Sequence, residues 1–181
     1  MLQDKTRSKL NRIQQELVRA GVDEEIIGRL RPVYRAAKRW GIIPDSNINE
    51  ANRRAIASYC KQENSNATYF LAKFILGYDK FAARPHRLSI IPFLLIPFIR
   101  LALYIPRGCF KTTIMIIRMF QWLAQDPVHT RILYSMVTRE KGARVGRELM
   151  ALFNKPEVIH FFGFLKGTPW TGEEFYLSAR K

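Results

Sequence analysis

The apolar positions of this chain change period partway along. Leu10, Ile13 and Leu17 recur at helical spacing and predict a helix over residues 3–20, closed by Gly21. Asp23 is then placed to cap a second helix, with Glu24 and Glu25 favourably set in its first turn. Pro32 is expected to break or kink that helix near Leu30, before it resumes to Trp40 and stops at Gly41. Ile48, Ala51, Ala55 and Tyr59 form the apolar side of a helix over residues 47–62, and a shorter one over residues 68–76 ends at Gly77.

After His86 the pattern becomes one of continuous apolar runs. Residues 101–105 read as a strand buried on both faces, and residues 112–125 as a helix that is apolar nearly all round. Asp126-Pro127 stops that helix. Residues 132–137 read as a second buried strand, and Thr138 can cap a helix over residues 139–154 that buries Val145, Leu149, Leu152 and Phe153. Pro156 follows it, then a short apolar element over residues 158–165, a turn-rich stretch and a third strand over residues 175–179. Strands alternating with helices predict an α/β fold with a parallel sheet and right-handed crossovers. A helical region over residues 1–66 precedes it, and the sheet belongs to residues 67–181.

Composition adds a partner class. The net charge of +15 is spread along the chain and does not sit in a tail, which favours polyanions, nucleic acid before an anionic membrane. Arg31, Arg35, Lys38 and Arg39 cluster on the second helix, where a solvated basic face is the simpler reading beside DNA contact. The uncharged run over residues 90–99 is far shorter than the ~20 residues of a spanning helix, and Pro92 and Pro97 interrupt the region. It reads as buried loop and short helix. Cys60 and Cys109 have no CxxC spacing, and His86, His129 and His160 lie far apart, so neither a disulfide framework nor a metal site can be read; a reducing, cytoplasmic compartment fits.

The candidate chemistry lies between the first strand and the helix after it. Pro106-Arg-Gly-Cys-Phe-Lys-Thr-Thr113 fits the last part of the phosphate-loop pattern G-x-x-x-x-G-K-[ST]. Gly108, Cys109, Phe110, Lys111, Thr112 and Thr113 would form the cradle, Lys111 reaching the β- and γ-phosphates of ATP and the Thr112 hydroxyl facing Mg2+. Ile105 stands where the pattern has its first Gly, and Phe110 where it has the Gly before Lys.

With Tyr69-Phe-Leu-Ala-Lys-Phe-Ile-Leu-Gly-Tyr-Asp-Lys80, Arg84-Pro-His86 and Leu103-Tyr-Ile-Pro-Arg-Gly-Cys-Phe-Lys-Thr-Thr113 in this order, the chain resembles the start of a tailed-phage terminase large subunit. Asp126-Pro127 before Arg131-Ile-Leu133, and Trp170 before the strand over residues 175–180, continue the resemblance across roughly residues 67–181. It implies a RecA-like (ASCE-type) P-loop ATPase that drives DNA packaging into a prohead in the host cytoplasm. Its implied partners are double-stranded DNA, a terminase small subunit, a portal protein and further copies of itself. It also implies a role for Arg107 in assisting hydrolysis in cis. His86 would lie near the base, although an exposed loop histidine is the simpler reading. No apolar strand ending in Asp-Asp or Asp-Glu follows, and the carboxylates of the family's nuclease are absent. The expectation is therefore an N-terminal segment that binds nucleotide without efficient hydrolysis. A non-enzymatic basic module that binds nucleic acid, or a decayed terminase fragment, is the alternative.

Overall fold

The computed structural model describes residues 24–81, 83–95, 110–127, 129–134, 138–163, 166–171 and 174–177. The helix predicted over residues 3–20 and its successor's cap Asp23 lie outside them. The chain divides into two units, Met1–Ile56 and Ala57–Lys181, at a point inside one helix.

In the first unit, α1 (Glu24–Arg39) is a single helix that runs through Pro32. Of the expected break or kink, the break does not occur. The buried stripe of α1, with Ile27, Leu30, Val33, Tyr34 and Ala37, extends on both sides of the proline, so burial favours a helix that continues through it. Pro32 is exposed, and the carbonyl it cannot bond belongs to Gly28, which has open space where a Cβ would stand. At the other end Gly41 takes a left-handed φ of 69°. Ile42 N–H donates to Ala37 O at 2.9 Å and Gly41 N–H to Lys38 O at 3.0 Å, which satisfies the last carbonyls.

The next helix, α2 (Glu50–Lys61), begins later than the periodicity predicts, because side chains claim the residues before it. Asp45 accepts from Asn47 N–H at 2.9 Å and from the Asn52 side chain at 2.7 Å, and Asn49 accepts from Asn52 N–H at 2.7 Å. These bonds offer the backbone a turn in place of a helix. Glu50 then takes bonds from both Arg53 and Arg54. Those bonds, Arg53's the larger effect, pull its carboxyl from 4.5 down to about 2.

The second unit is built on the long helix over Lys111–Gln125. Before it, Asn64 caps α3 (Ser65–Phe70), accepting from Ala67 N–H at 2.8 Å. Residues Leu71–Ile75 continue in a wider π-type turn, with Leu76 N–H donating to Leu71 O at 2.9 Å, and Gly77 stops the helix at a φ of 73°. The Lys155 ammonium caps the Leu76 carbonyl. A second π-type stretch, Ala83–Ile90, leads into the short helix α4 (Ile91–Leu95).

Helix α5 (Lys111–Gln125) buries Ile114, Ile116, Ile117, Met119, Phe120, Leu123 and Ala124, as its all-round apolar pattern predicts. Phe120 stacks on Phe153 at 4.6 Å and meets the edge of Phe162 at 5.6 Å. Those two rings come from α6 (Arg139–Phe153), capped by Thr138, and α7 (Pro156–Phe162), in which Pro156 opens a new helix. Two polar residues are also fully enclosed in α5. Gln121 donates to the Cys60 and Gln62 carbonyls at 2.8 and 2.7 Å and accepts from Thr68 at 3.0 Å and from Arg118. Arg118 reaches Glu63 at 3.3 Å and lies over the Trp122 ring. Burial lowers its affinity for the proton, and Glu63 acts the other way.

The parallel sheet of an α/β, P-loop type fold is not what the described residues form. They are mostly helical, and their only strands, β1 (Lys166–Trp170) and β2 (Phe175–Leu177), pair antiparallel with a register irregularity between Lys166 and Trp170. The strand predicted over residues 132–137 is not one where it is described. Residues 131–134 have no regular structure, and Leu133 is 97% exposed. A central parallel strand needs a neighbour along each edge, and the described residues offer none. The strand predicted over residues 175–179 does form at Phe175–Leu177, but as half of the local pair. The strand predicted over residues 101–105 lies outside the described residues, and the expected short helix in the preceding proline-rich stretch is α4. No helix among the described residues is long and apolar enough to cross a membrane.

Two outcomes follow from this packing. Gln121→Leu leaves two carbonyls, a hydroxyl and a guanidinium short of a partner, and should cost on the order of 3 kcal/mol in urea-induced unfolding. Because Glu50's folded pKa is depressed, its contribution is present above its ordinary value of 4.5 and is lost as pH falls from there toward 2. The stability difference between wild type and Glu50→Gln, followed by thermal unfolding, should shrink across that window and stay flat above it.

Candidate phosphate-binding turn

Of the residues read as the cradle, Gly108 and Cys109 lie outside the described residues, as does Arg107, expected to assist hydrolysis, while Phe110, Lys111, Thr112 and Thr113 are placed. The chain enters α5 through Phe110, whose φ of 55° and ψ of 24° are left-handed. It is the one non-glycine residue with positive φ among the described residues. A left-handed conformation costs an ordinary side chain ~1–2 kcal/mol, which is why glycine favours it. Phe110 stands where the phosphate-loop pattern has its second Gly, so the backbone takes a glycine-like conformation there without the glycine.

Several contacts hold Phe110 in that conformation. Its ring meets the edge of His86 at 5.4 Å; His86 stacks on Phe81 at 4.5 Å and 15°; Phe81 in turn lies 6.1 Å from Tyr69. His86 is buried in the Ala83–Ile90 helical stretch, so the expected exposed loop histidine is corrected. The segment around residues 69–86 and the start of α5 thus meet through an aromatic row. The pattern of residue types gave no warning of this row, since its members are spaced irregularly along the chain.

The first turn of α5 combines two features. Helices α1, α2, α6 and α7 each carry Glu in the first turn, where it complements the positive end of the dipole, while the short α3 and α4 carry no acid there. Helix α5 carries no acid there and opens with Lys111 instead, and Phe110 supplies no side-chain cap. Lys111 and Thr112 are exposed and Thr113 is half-buried. Ile114 N–H already donates to Phe110 O at 2.8 Å, which leaves the N–H groups of residues 111–113 directed out of the helix end. A cation, a hydroxyl and the positive end of a helix dipole meet at one turn. Such a turn is suited to an anion.

A nucleotide would find part of what it needs here: Lys111 and the backbone donors suit phosphate oxygens, and Thr112 could offer a magnesium ion one hydroxyl. Among the described residues no group of three or more His, Cys, Asp or Glu could hold a metal ion. No protein family, curated protein or solved structure matches this chain.

The left-handed Phe110 separates two effects that truncation normally mixes. Phe110→Ala keeps the backbone conformation and removes the ring packed against His86, and should cost ~1–2 kcal/mol. Phe110→Gly removes the same ring but also the conformational penalty, and should be ~1 kcal/mol more stable than the alanine variant in thermal or urea unfolding.

Proposed function

We propose that this chain is a nucleotide-binding segment of the kind that opens a phage terminase large subunit, taking the phosphates of ATP at the start of α5. The observation that supports this most is the first turn of that helix. It is entered by a left-handed residue at the motif's glycine position, it lacks a capping side chain, and it carries Lys111 and Thr112 in place of the Glu that opens the other long helices. Placing a lysine there disfavours the free helix by ~0.3–1 kcal/mol, and a bound anion reverses the sign of that contribution. The reading rests on this turn and on the ordered pattern of residues in the sequence. It does not call on a parallel sheet.

In this reading Lys111 sits against the β- and γ-phosphates, Thr112 turns its hydroxyl to magnesium, and the N–H groups of residues 111–113 take the remaining phosphate oxygens. Magnesium would neutralise charge on the phosphates. Gly108 and Cys109 would complete the turn and Arg107 would assist hydrolysis, as the resemblance implies. The activity proposed for these residues is binding, because the turn supplies phosphate donors and one hydroxyl for the metal. By the same resemblance the partners are double-stranded DNA, a small subunit, a portal and further copies of the chain.

Magnesium-ATP should raise the thermal unfolding temperature. At free nucleotide about tenfold above Kd the gain is about 1.4 kcal/mol, which corresponds to about 3–6 °C for a chain of this size. Lys111→Ala should abolish that shift while changing the unfolding temperature of the nucleotide-free protein little, because the side chain is exposed. An equal shift in both proteins, or none in wild type at millimolar ATP, would rule the reading out.

A further inference from the structure

We infer that the outer face of α1 is a docking surface for the phosphodiester backbone of duplex nucleic acid. Arg31, Arg35 and Arg39 follow one another at four-residue spacing, and Lys38 lies beside them. Arg35, Lys38 and Arg39 are exposed and Arg31 is half-buried. At 1.5 Å per residue the row is about 12 Å long, the reach of about three to four successive phosphates on one strand.

What sets the row apart from an ordinary solvated face is how little acid stands near it: the Asp45 carboxylate beyond the helix end acts on Lys38, and no acidic residue of α1 follows Glu25. Between Glu25 and Asp45 the sequence holds no acidic residue. Elsewhere several helical cations have carboxylates one turn away: Arg29 with Glu25, Arg53 and Arg54 with Glu50, and Arg144 with Glu148. Among the described residues no ion pair involves Arg31, Arg35, Lys38 or Arg39. Lys38 and Arg39 lie in the last turn, where the helix dipole favours cations, but that effect dies within one turn and leaves Arg31 and Arg35 unexplained. Like charges at four-residue spacing repel, so the row is held together against a small cost that a polyanion relieves.

An anionic membrane offers the same charges, but the face lacks what a membrane would bury. The exposed large apolar side chains among the described residues are Leu88 and Leu133, neither of them on α1. Beside the row α1 exposes Gly28 and Pro32. A surface helix held by lipid needs an apolar stripe facing outward as well as charge, and the apolar stripe of α1 is buried. A phosphate backbone needs only the charges. The surface is independent of the phosphate-binding turn, which belongs to the other unit.

The test is the salt dependence of binding to a random-sequence DNA duplex, measured by fluorescence anisotropy with the full chain. Changing Arg31, Arg35, Lys38 and Arg39 together to Gln should flatten the slope of log K against log salt by about 3–4, at about 0.9 for each phosphate no longer neutralised. The same change at Arg139, Lys141, Arg144 and Arg147 of α6, where Glu140 and Glu148 interleave, should flatten it by much less. Arg35→Glu alone, at an exposed position, should weaken binding and flatten the slope by about 1 even if the fourfold variant unfolds. Equal effects from the α1 and α6 sets would show diffuse attraction and overturn the proposal. So would an unchanged slope in Arg35→Glu, or binding to phosphatidylserine-containing vesicles but not to the duplex. The magnesium-ATP shift should survive in Arg35→Glu, so loss of DNA binding and loss of nucleotide binding are read separately.

Discussion

The second unit depends on how α5 reconciles the burial of its middle turns with two polar side chains. A helix buried on most sides gains from every apolar residue it encloses, but Arg118 and Gln121 must then find partners inside. They find them in the segment just before α3. Gln121 closes the carbonyls of Cys60 and Gln62, which lie where α2 ends and the chain turns, and the Thr68 hydroxyl in the following helix. The Gln125 side chain bonds the Lys61 carbonyl in the same way. One face of α5 thus satisfies backbone groups that a helix terminus leaves open, and the turn in exchange satisfies the buried amide. Neither side of this arrangement could be buried without the other, so the position of α5 is fixed relative to residues 60–68. Apolar packing alone, which tolerates sliding and repacking, would not fix it so closely.

That fixation has a consequence at the other end of the helix. A rigid α5 puts its first turn at a defined place, and the aromatic row of Tyr69, Phe81, His86 and Phe110 joins that turn to the end of α3 and the π-type stretch after it. Wide turns of this kind are rarer than α-helix and tend to persist where a side chain must be aimed. Here the Ala83–Ile90 stretch carries His86 between Phe81 and Phe110. The left-handed entry to the helix is therefore supported from the side and does not depend on the intrinsic preference of the residue that makes it. A phenylalanine in a glycine's conformation is tolerable because its ring has somewhere to go.

Much of the helical part was legible in the sequence, and its errors have physical causes. Helix α6 and its Thr138 cap, the stop at Gly41 and the stop at Gly77 follow from side-chain periodicity and from glycine's freedom at positive φ. The ends of α2 and the continuity of α1 did not follow. Asp45, Asn47, Asn49 and Asn52 delay the one through local bonds that propensity does not register, and a buried stripe carries the other through Pro32. The sheet failed for a different reason. A continuous apolar run such as residues 132–137 states only that the segment is fit for burial, and which neighbour buries it is a long-range fact. Leu133, almost wholly exposed, shows the run without that neighbour. At the candidate site Lys111 and Thr112 could be named from spacing, but His86 could not be assigned, because its burial depends on Phe81 and Phe110. Gln121 could have been found. A polar residue in a helix that is apolar on all sides must be paired inside, and Arg118, one turn before it, was the sign.

The distribution of charge completes the physical picture. A net charge of +15 would repel itself if its cations were free, yet many of the described ones are already committed. Arg118 is enclosed and bound to Glu63 and Gln121, Lys155 caps a carbonyl, and Arg29, Arg53, Arg54 and Arg144 answer carboxylates on their own helices. The row on α1 and the first turn of α5 stand outside that pattern, each combining clustered or dipole-opposed positive charge with a lack of acidic neighbours along the helix. In both places the free chain bears an electrostatic cost that counter-charge from outside would remove. Local pairing is within the protein's means, as α2 and α6 demonstrate, and its omission at these two places is the common ground of both proposals.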